Sequence, residues 1–273
     1  MTNTIQNATA KKEQQTAVQT SQKELLVAQI KKMEGEIKKA LPSVITPERF
    51  TRMVLSAVST TPLLAQCTTQ SFFAAMMSAA QLGLEPNSAL GQAFLIPFKN
   101  NKKGGIYEAQ FQLGYKGMLD LAYRSGEIEI IQAHIVHEND EFDYAYGLEA
   151  KLTHKPCLGD RGKPIYVYAM FKTKNGGLGY EVMSIEDARK HGERYSKSFS
   201  SGPWQTNFEE MAKKTCIKRL LKLAPLKSEF ARAIAQDSTV KTSLSADMYE
   251  VPCEEYEDMS DDIDTTTGEV KEA

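Results

Sequence analysis

The chain has 273 residues, 41% of them hydrophobic and 25% charged, with a formal net charge of −2. That length allows one or two domains around a substantial core, and no run of about 18 apolar residues offers a membrane span. The start, MTNTIQNATAKKEQQTAVQT, has no apolar stretch of the kind that directs secretion, and Cys67, Cys157, Cys216 and Cys253, with no CxxC pair, suit thiols in a reducing cytoplasm.

The net charge hides an asymmetry. From Asp247 onward eleven acids face only Lys271, a charge of −10, which leaves +8 on residues 1–246. A basic body with an acidic tail is common in nucleic-acid binders, and it is equally read as a domain with a solubilising tail.

In chain order, residues 1–20 are polar and predict a disordered start. ELLVAQIKKMEGEIKKAL (24–41) spaces Leu26, Ile30, Met33 and Ile37 as one helix face. In TPERFTRMVLSAVST, Thr46 predicts an N-cap with Pro47 at the first helical position. TQSFFAAMMSAAQL is apolar nearly all round and predicts a buried helix closed by Gly83. GQAFLIPF and GIYEAQFQL then read as strands around the turn KNNKKGG, a β-hairpin with a basic tip. A helix over YKGMLDLAYRSG follows. IEIIQAHIVHE, EFDYAYG, EAKLTHK, PIYVYAMFKTK and GYEVMS all have strand composition. Ser184 predicts a cap for a helix at Ile185, and SKSFSSGP leads to the long basic helix EEMAKKTCIKRLLKLAP (209–225). SEFARAIAQD predicts a last short helix. The order helices, strands, helices argues an α+β fold. The domain organisation expected is a disordered start over 1–20, one core over 21–240 and an acidic disordered tail over 241–273.

Two segments concentrate positive charge. On a wheel with Lys213 at zero, Lys214, Lys218 and Lys222 fall at about 100°, 140° and 180°, a cationic ridge, with Arg219 near 240°. Ala212, Cys216, Ile217, Leu220, Leu221, Leu223 and Ala224 fill the apolar arc, and Lys213 points into its middle. Either Lys213 snorkels from a thin edge of the core or it projects into a groove. The second segment, QLGYKGMLDLAYRSG, joins a strand end to a helix start. Its glycines permit close approach to the backbone, and free N–H groups at Tyr115 suit a phosphate. Lys116, Asp120 and Arg124 share one face, either as an ion-pair ladder or as a phosphate grip. The hairpin adds Lys99, Lys102 and Lys103, with Phe94, Phe98, Tyr107 and Phe111 beside Gln92, Gln110 and Gln112. Aromatics there suit core packing first and base stacking second. Trp204 reads as an anchor between loop and helix.

No GxxxxGK[ST] is present, so no nucleotide-hydrolysing phosphate loop is expected. His134 and His137 read as strand histidines, not a metal pair. Asp140, Glu141 and Asp143 with Glu149-Ala150-Lys151 echo the acids and (D/E)xK of a metal-dependent nuclease, a pattern common by chance.

QLGLEPNSALGQAFLIPF, QLGYKGMLDLAYRSG with HIVHENDEF, and GPWQTNFEEMAKKTCIKRLLKLAP together resemble the RecT family of phage and prophage single-strand annealing proteins. The resemblance runs from about residue 45 to 237. It implies a non-enzymatic, ATP-independent recombination protein without cofactors. Such a protein coats single-stranded DNA, pairs complementary strands into duplex, and assembles as a filament or ring. It implies partnership with a phage 5′→3′ exonuclease and the host single-strand-binding protein in the cytoplasm. The fold it implies is a central antiparallel sheet with a protruding β-hairpin, packed against helices from both ends of the chain around a basic DNA groove. The contacts expected are Lys116, Arg124, Lys213, Lys214, Arg219 and Lys222, with Thr215 as a neutral donor. Tyr115, Gln110 and Gln112 join them, with Lys99, Lys102 and Lys103 at the hairpin tip. The alternatives are a metal-dependent nuclease and a passive coating protein.

Overall fold

The computed structural model describes residues 22–196, 199–200, 203–224, 239–241, 248 and 253–255. The expected disordered start and the expected helix over SEFARAIAQD lie outside them. Its helices are α1 (22–32), α2 (Glu34–Ala40), α3 (Pro47–Thr60), α4 (Thr69–Leu82), α5 (Tyr115–Arg124), α6 (Ile185–Tyr195), α7 (Pro203–Thr206) and α8 (Phe208–Leu221). Its strands are β1 (Ala93–Asn100), β2 (Ile106–Leu113), β3 (Ile128–His137), β4 (Glu141–Ala145), β5 (Lys151–Lys155), β6 (Pro164–Thr173), β7 (Leu178–Ser184), β8 (Thr239–Lys241) and β9 (Cys253–Glu255). The α+β class stands, but the one central sheet expected from the sequence is three antiparallel sheets: β1-β2-β8-β9, β3-β6-β7 and the ribbon β4-β5. The described residues divide into two compact units. One runs to Gly114 and includes those after residue 238; the other runs from Tyr115 to Ala224.

The first unit is built on α4, which buries eleven of its residues, Phe72 and Met76 among them, because it carries no charge on any face. Thr68 starts it by accepting the Ser71 N–H at 3.3 Å. Gly83 ends it at φ +58°, where a Cβ would lie 2.6 Å from Pro42 Cγ, so glycine is required there for both backbone and space. Thr46 caps α3 as its sequence predicts. The predicted helix over 24–41 turns at Met33, where the N–H is shared between the carbonyls of Gln29 and Ile30. Leu26, Ile30 and Ile37 still bury on one side. β1 and β2 pair from Ala93↔Leu113 to Asn100↔Ile106. Both outer edges are occupied. The Asn87 side chain accepts from the Leu95 N–H at 2.7 Å beside β1. Along β2, Thr68 N–H donates to Tyr107 O and Ser71 Oγ accepts from Ala109 N–H, each at 2.9 Å. Thr239 pairs with Phe111 further along, so β8 and β9 extend this sheet from within the expected tail and its border.

In the second unit, β6 alternates Tyr166 and Tyr168 with Val167 and Ala169, which sends them to opposite faces. α8 covers the Val167 face, and the Cys216 thiol donates to Glu181 O at 3.2 Å. α5 packs beside α8 near β3, and α6 packs beside α8 near β6 and β7. The other face is aromatic and takes the ribbon. Phe142 lies 5.8 Å from Tyr166 and 5.7 Å from Tyr168, and Tyr146 stacks on Tyr180 at 5.3 Å. Tyrosine hydroxyls meet both sheet edges: Tyr123 accepts from Ile131 N–H at 3.0 Å, and Tyr146 from Val182 N–H at 2.9 Å. Trp204 is fully buried as the expected anchor, lying flat against α6. A Cβ on Gly192 would meet its indole at 2.7 Å.

Candidate nucleic-acid interface

The interface is set by how α8 and α5 lie in the second unit. α8 is the middle helix of three, so it buries both flanks as well as the face against the sheet. Met211, Ala212, Thr215, Cys216, Ile217, Leu220 and Leu221 are buried. The helix ends at Leu221, and Leu223, expected in the core arc, is exposed because it lies beyond the last turn. The cations emerge through what remains open. Lys213 keeps 27% of its side chain exposed and donates to Glu210 Oε1 at 2.8 Å. Lys214 places its ammonium 6.0 Å over the ring of Tyr115, the first residue of α5. Lys116 is exposed one residue on. The start of α5 and the first half of α8 therefore meet at Lys214 and Tyr115, with Lys213 and Lys116 the adjoining residues, beside the N–H groups that open α5.

The charge around this patch is balanced by carboxylates. Burial first, then the charge of Glu210, pushes the Tyr115 hydroxyl above its ordinary pKa. His134, on β3, is held below the ordinary histidine value by burial first, then by His154, Lys213 and Arg161. Arg161 donates to Ile135 O at 3.1 Å on the edge of β3, so its guanidinium sits one residue from His134. Neither His134 nor Arg161 is singled out by sequence as part of the patch. Glu210 is legible there, three residues before Lys213 on a helix.

The other expected contacts fall elsewhere. Arg219 leaves the opposite flank of α8 and pairs with Glu181 of β7 at 2.8 Å. Arg124 lies at the far end of α5, about 14 Å from Tyr115 by helical rise, paired with Asp120 at 2.8 Å. Lys222 is exposed just past α8. Thr215 is buried, so the expected neutral donor is closed to a ligand in this structure. In the first unit Lys99, Lys102 and Lys103 are exposed around the hairpin turn, which Asn100 caps by accepting the Lys103 N–H at 3.2 Å. Lys103 reaches Glu108 at 3.2 Å. Gln110 and Gln112 are fully buried, against expectation, because both faces of β2 are covered. Phe94 and Phe111 are core residues.

The acids that echo a nuclease do not converge. Asp140 has no exposed side-chain surface. It accepts from Arg161 Nη2 at 2.6 Å, from Arg161 Nε at 3.0 Å, and from the Cys157 and His137 N–H groups at 2.9 Å each, with His154 Nε2 at 3.1 Å. The Arg161 guanidinium first, and these N–H groups after it, hold its carboxyl well below the usual range against the opposing effect of burial. Asp143 and Lys151 pair at 2.7 Å on the exposed side of the ribbon. Asp140 is thus a fixed post for the loop after β5, with its oxygens already engaged.

The sequence pattern of the RecT family matches residues 48–249. Protein RecT of Escherichia coli strain K12 is 44% identical over 209 residues, 75% of this chain and 76% of that protein. The uncharacterized protein YqaK of Bacillus subtilis strain 168 is 28% identical over 197 residues, 72% of this chain and 66% of that protein. The resemblance drawn from the three sequence blocks is thereby borne out.

Proposed function

Because the chain belongs to the RecT family, which supports a role in DNA recombination and single-strand annealing, we propose that it binds single-stranded DNA through phosphates and pairs complementary strands without nucleotide hydrolysis. The observation that carries this reading is the meeting of Lys214 on α8 with Tyr115 at the start of α5, each with a second lysine, Lys213 or Lys116, next to it in sequence. Phosphates bind there, with Arg124 and Lys222 extending the track along the two helices. Contact with phosphate alone is independent of sequence, as pairing any two complements requires. The base edges stay free to test a second strand. Each correct base-pair step contributes roughly 1.4 kcal/mol of stacking and pairing, which drives the reaction. The hairpin lysines Lys99 and Lys102 engage further nucleotides. Copies assemble along the strand as a filament or ring, so the track continues from one to the next. The protein works in the cytoplasm with a 5′→3′ exonuclease that exposes single strands and with the host single-strand-binding protein.

The test is a quenched-fluorophore annealing assay with two complementary oligonucleotides and no nucleotide triphosphate. Pairing several-fold faster than the spontaneous reaction supports the proposal. Binding without acceleration identifies a passive coat and refutes it.

A further inference from the structure

Resting on that functional reading, we infer that Glu210 is a displaceable internal counterion: it holds Lys213 in the free protein and yields it to a phosphate of the incoming strand. Among the described residues, four of the expected contact cations are each held by a carboxylate: Lys213 by Glu210, Arg124 by Asp120, Arg219 by Glu181 and Lys103 by Glu108. The four carboxylates differ in one decisive respect. Glu210 is 71% exposed, Asp120 36%, Glu181 19% and Glu108 9%.

When its cation leaves, an exposed carboxylate is solvated by water. A buried one is stranded without its partner, which is costly. Glu181 and Glu108 therefore keep Arg219 and Lys103 in place, and Glu108 is further committed through Asn100 Nδ2 at 2.8 Å. Glu210 has no such commitment. It shares one helix with Lys213 at i, i+3, a spacing whose exposed ion pairs are weak and easily exchanged. Its charge also acts on the Tyr115 hydroxyl, whose ring Lys214 overlies at the start of α5. Glu209, the neighbouring acid, acts on the Arg161 guanidinium. The exchange accounts for a lysine rising from the apolar arc of α8: Glu210 keeps Lys213 pointed outward until nucleic acid replaces it.

Exchange also changes the salt dependence. A freed carboxylate gathers a cation from solution, which offsets part of the counterion release from the nucleic acid. The test measures binding of a labelled oligo-dT by fluorescence polarisation at several low salt concentrations. The proteins are wild type, Glu210→Gln, Lys213→Met and the double variant, with Glu193→Gln on α6 as a control for net charge. Glu210→Gln is expected to bind about five-fold more tightly, the effect of one unit charge removed from about 4 Å in water, and with a steeper salt dependence. In the Lys213→Met background the same substitution is expected to gain no more than the Glu193→Gln control. An equal gain in both backgrounds, or no gain in either, overturns the counterion role while leaving the functional reading intact. A wild-type protein that does not bind the oligonucleotide overturns the functional reading itself.

Discussion

Replacing Lys214 with alanine separates a binding role from a purely structural one. The ammonium lies 6.0 Å over the Tyr115 ring at the start of α5. Removing it forfeits a cation–π contact of about 0.5–1 kcal/mol at a partly exposed site, a small loss for a folded domain. If Lys214 also neutralises one phosphate, the slope of log affinity against log salt falls by about 0.7 for a single strand. Between 50 and 200 mM salt, a four-fold change, that difference amounts to about 2.6-fold less loss of affinity than wild type suffers. The assay is titration of labelled oligo-dT across that range, with thermal unfolding run in parallel. Tyr115→Phe keeps the ring and serves as the comparison in which the slope is unchanged. A Lys214→Ala protein that melts within a few degrees of wild type and keeps the full wild-type slope would refute the assignment of Lys214 to phosphate.

Gly192→Ala drives a Cβ into the Trp204 indole, 2.7 Å away, so it is expected to cost about 1–3 kcal/mol as overpacking. The chain has one tryptophan, so its fluorescence reports the displacement directly, and an unshifted spectrum with unchanged melting contradicts the packing described. Asp140→Asn removes a carboxylate whose folded pKa lies below its unfolded value. Its stabilising contribution is therefore complete above about pH 4 and lost as pH falls through the lower folded value. Denaturant midpoints of variant and wild type should differ constantly from pH 8 to 5 and converge in stronger acid. Burial pushes the Cys67 and Cys216 thiols up to about 12, with Glu108 and Glu181 respectively adding to the effect. Alkylation at pH 8, mapped by mass spectrometry, should spare both until the protein unfolds.

Local signals in the sequence carried most of the elements. Thr46, Pro47 and Ser184 mark helix starts because capping is a contact within four residues, and the alternation in PIYVYAMFKTK marks β6 because pleating has a period of two. What depends on distant partners is not written there. The ribbon β4-β5 sits on Tyr166 and Tyr168 because both faces of β6 are large and apolar, which a linear reading takes as membership of one sheet. The wheel of α8 likewise predicts a one-sided helix. Its neighbours α5 and α6 bury its flanks, so Thr215 is enclosed and Arg219 departs from Lys214. The patch at Lys213, Lys214 and Tyr115 was legible as two separate cationic segments. That α5 and α8 are adjacent was not.

The stoppered strands have a consequence for assembly. Asn87 seals β1, Thr68 and Ser71 seal part of β2, Tyr123 seals β3 at Ile131, and Tyr146 seals β7 at Val182. At each of these positions a backbone rung that a second chain could pair with is already taken, which discourages edge-to-edge pairing there.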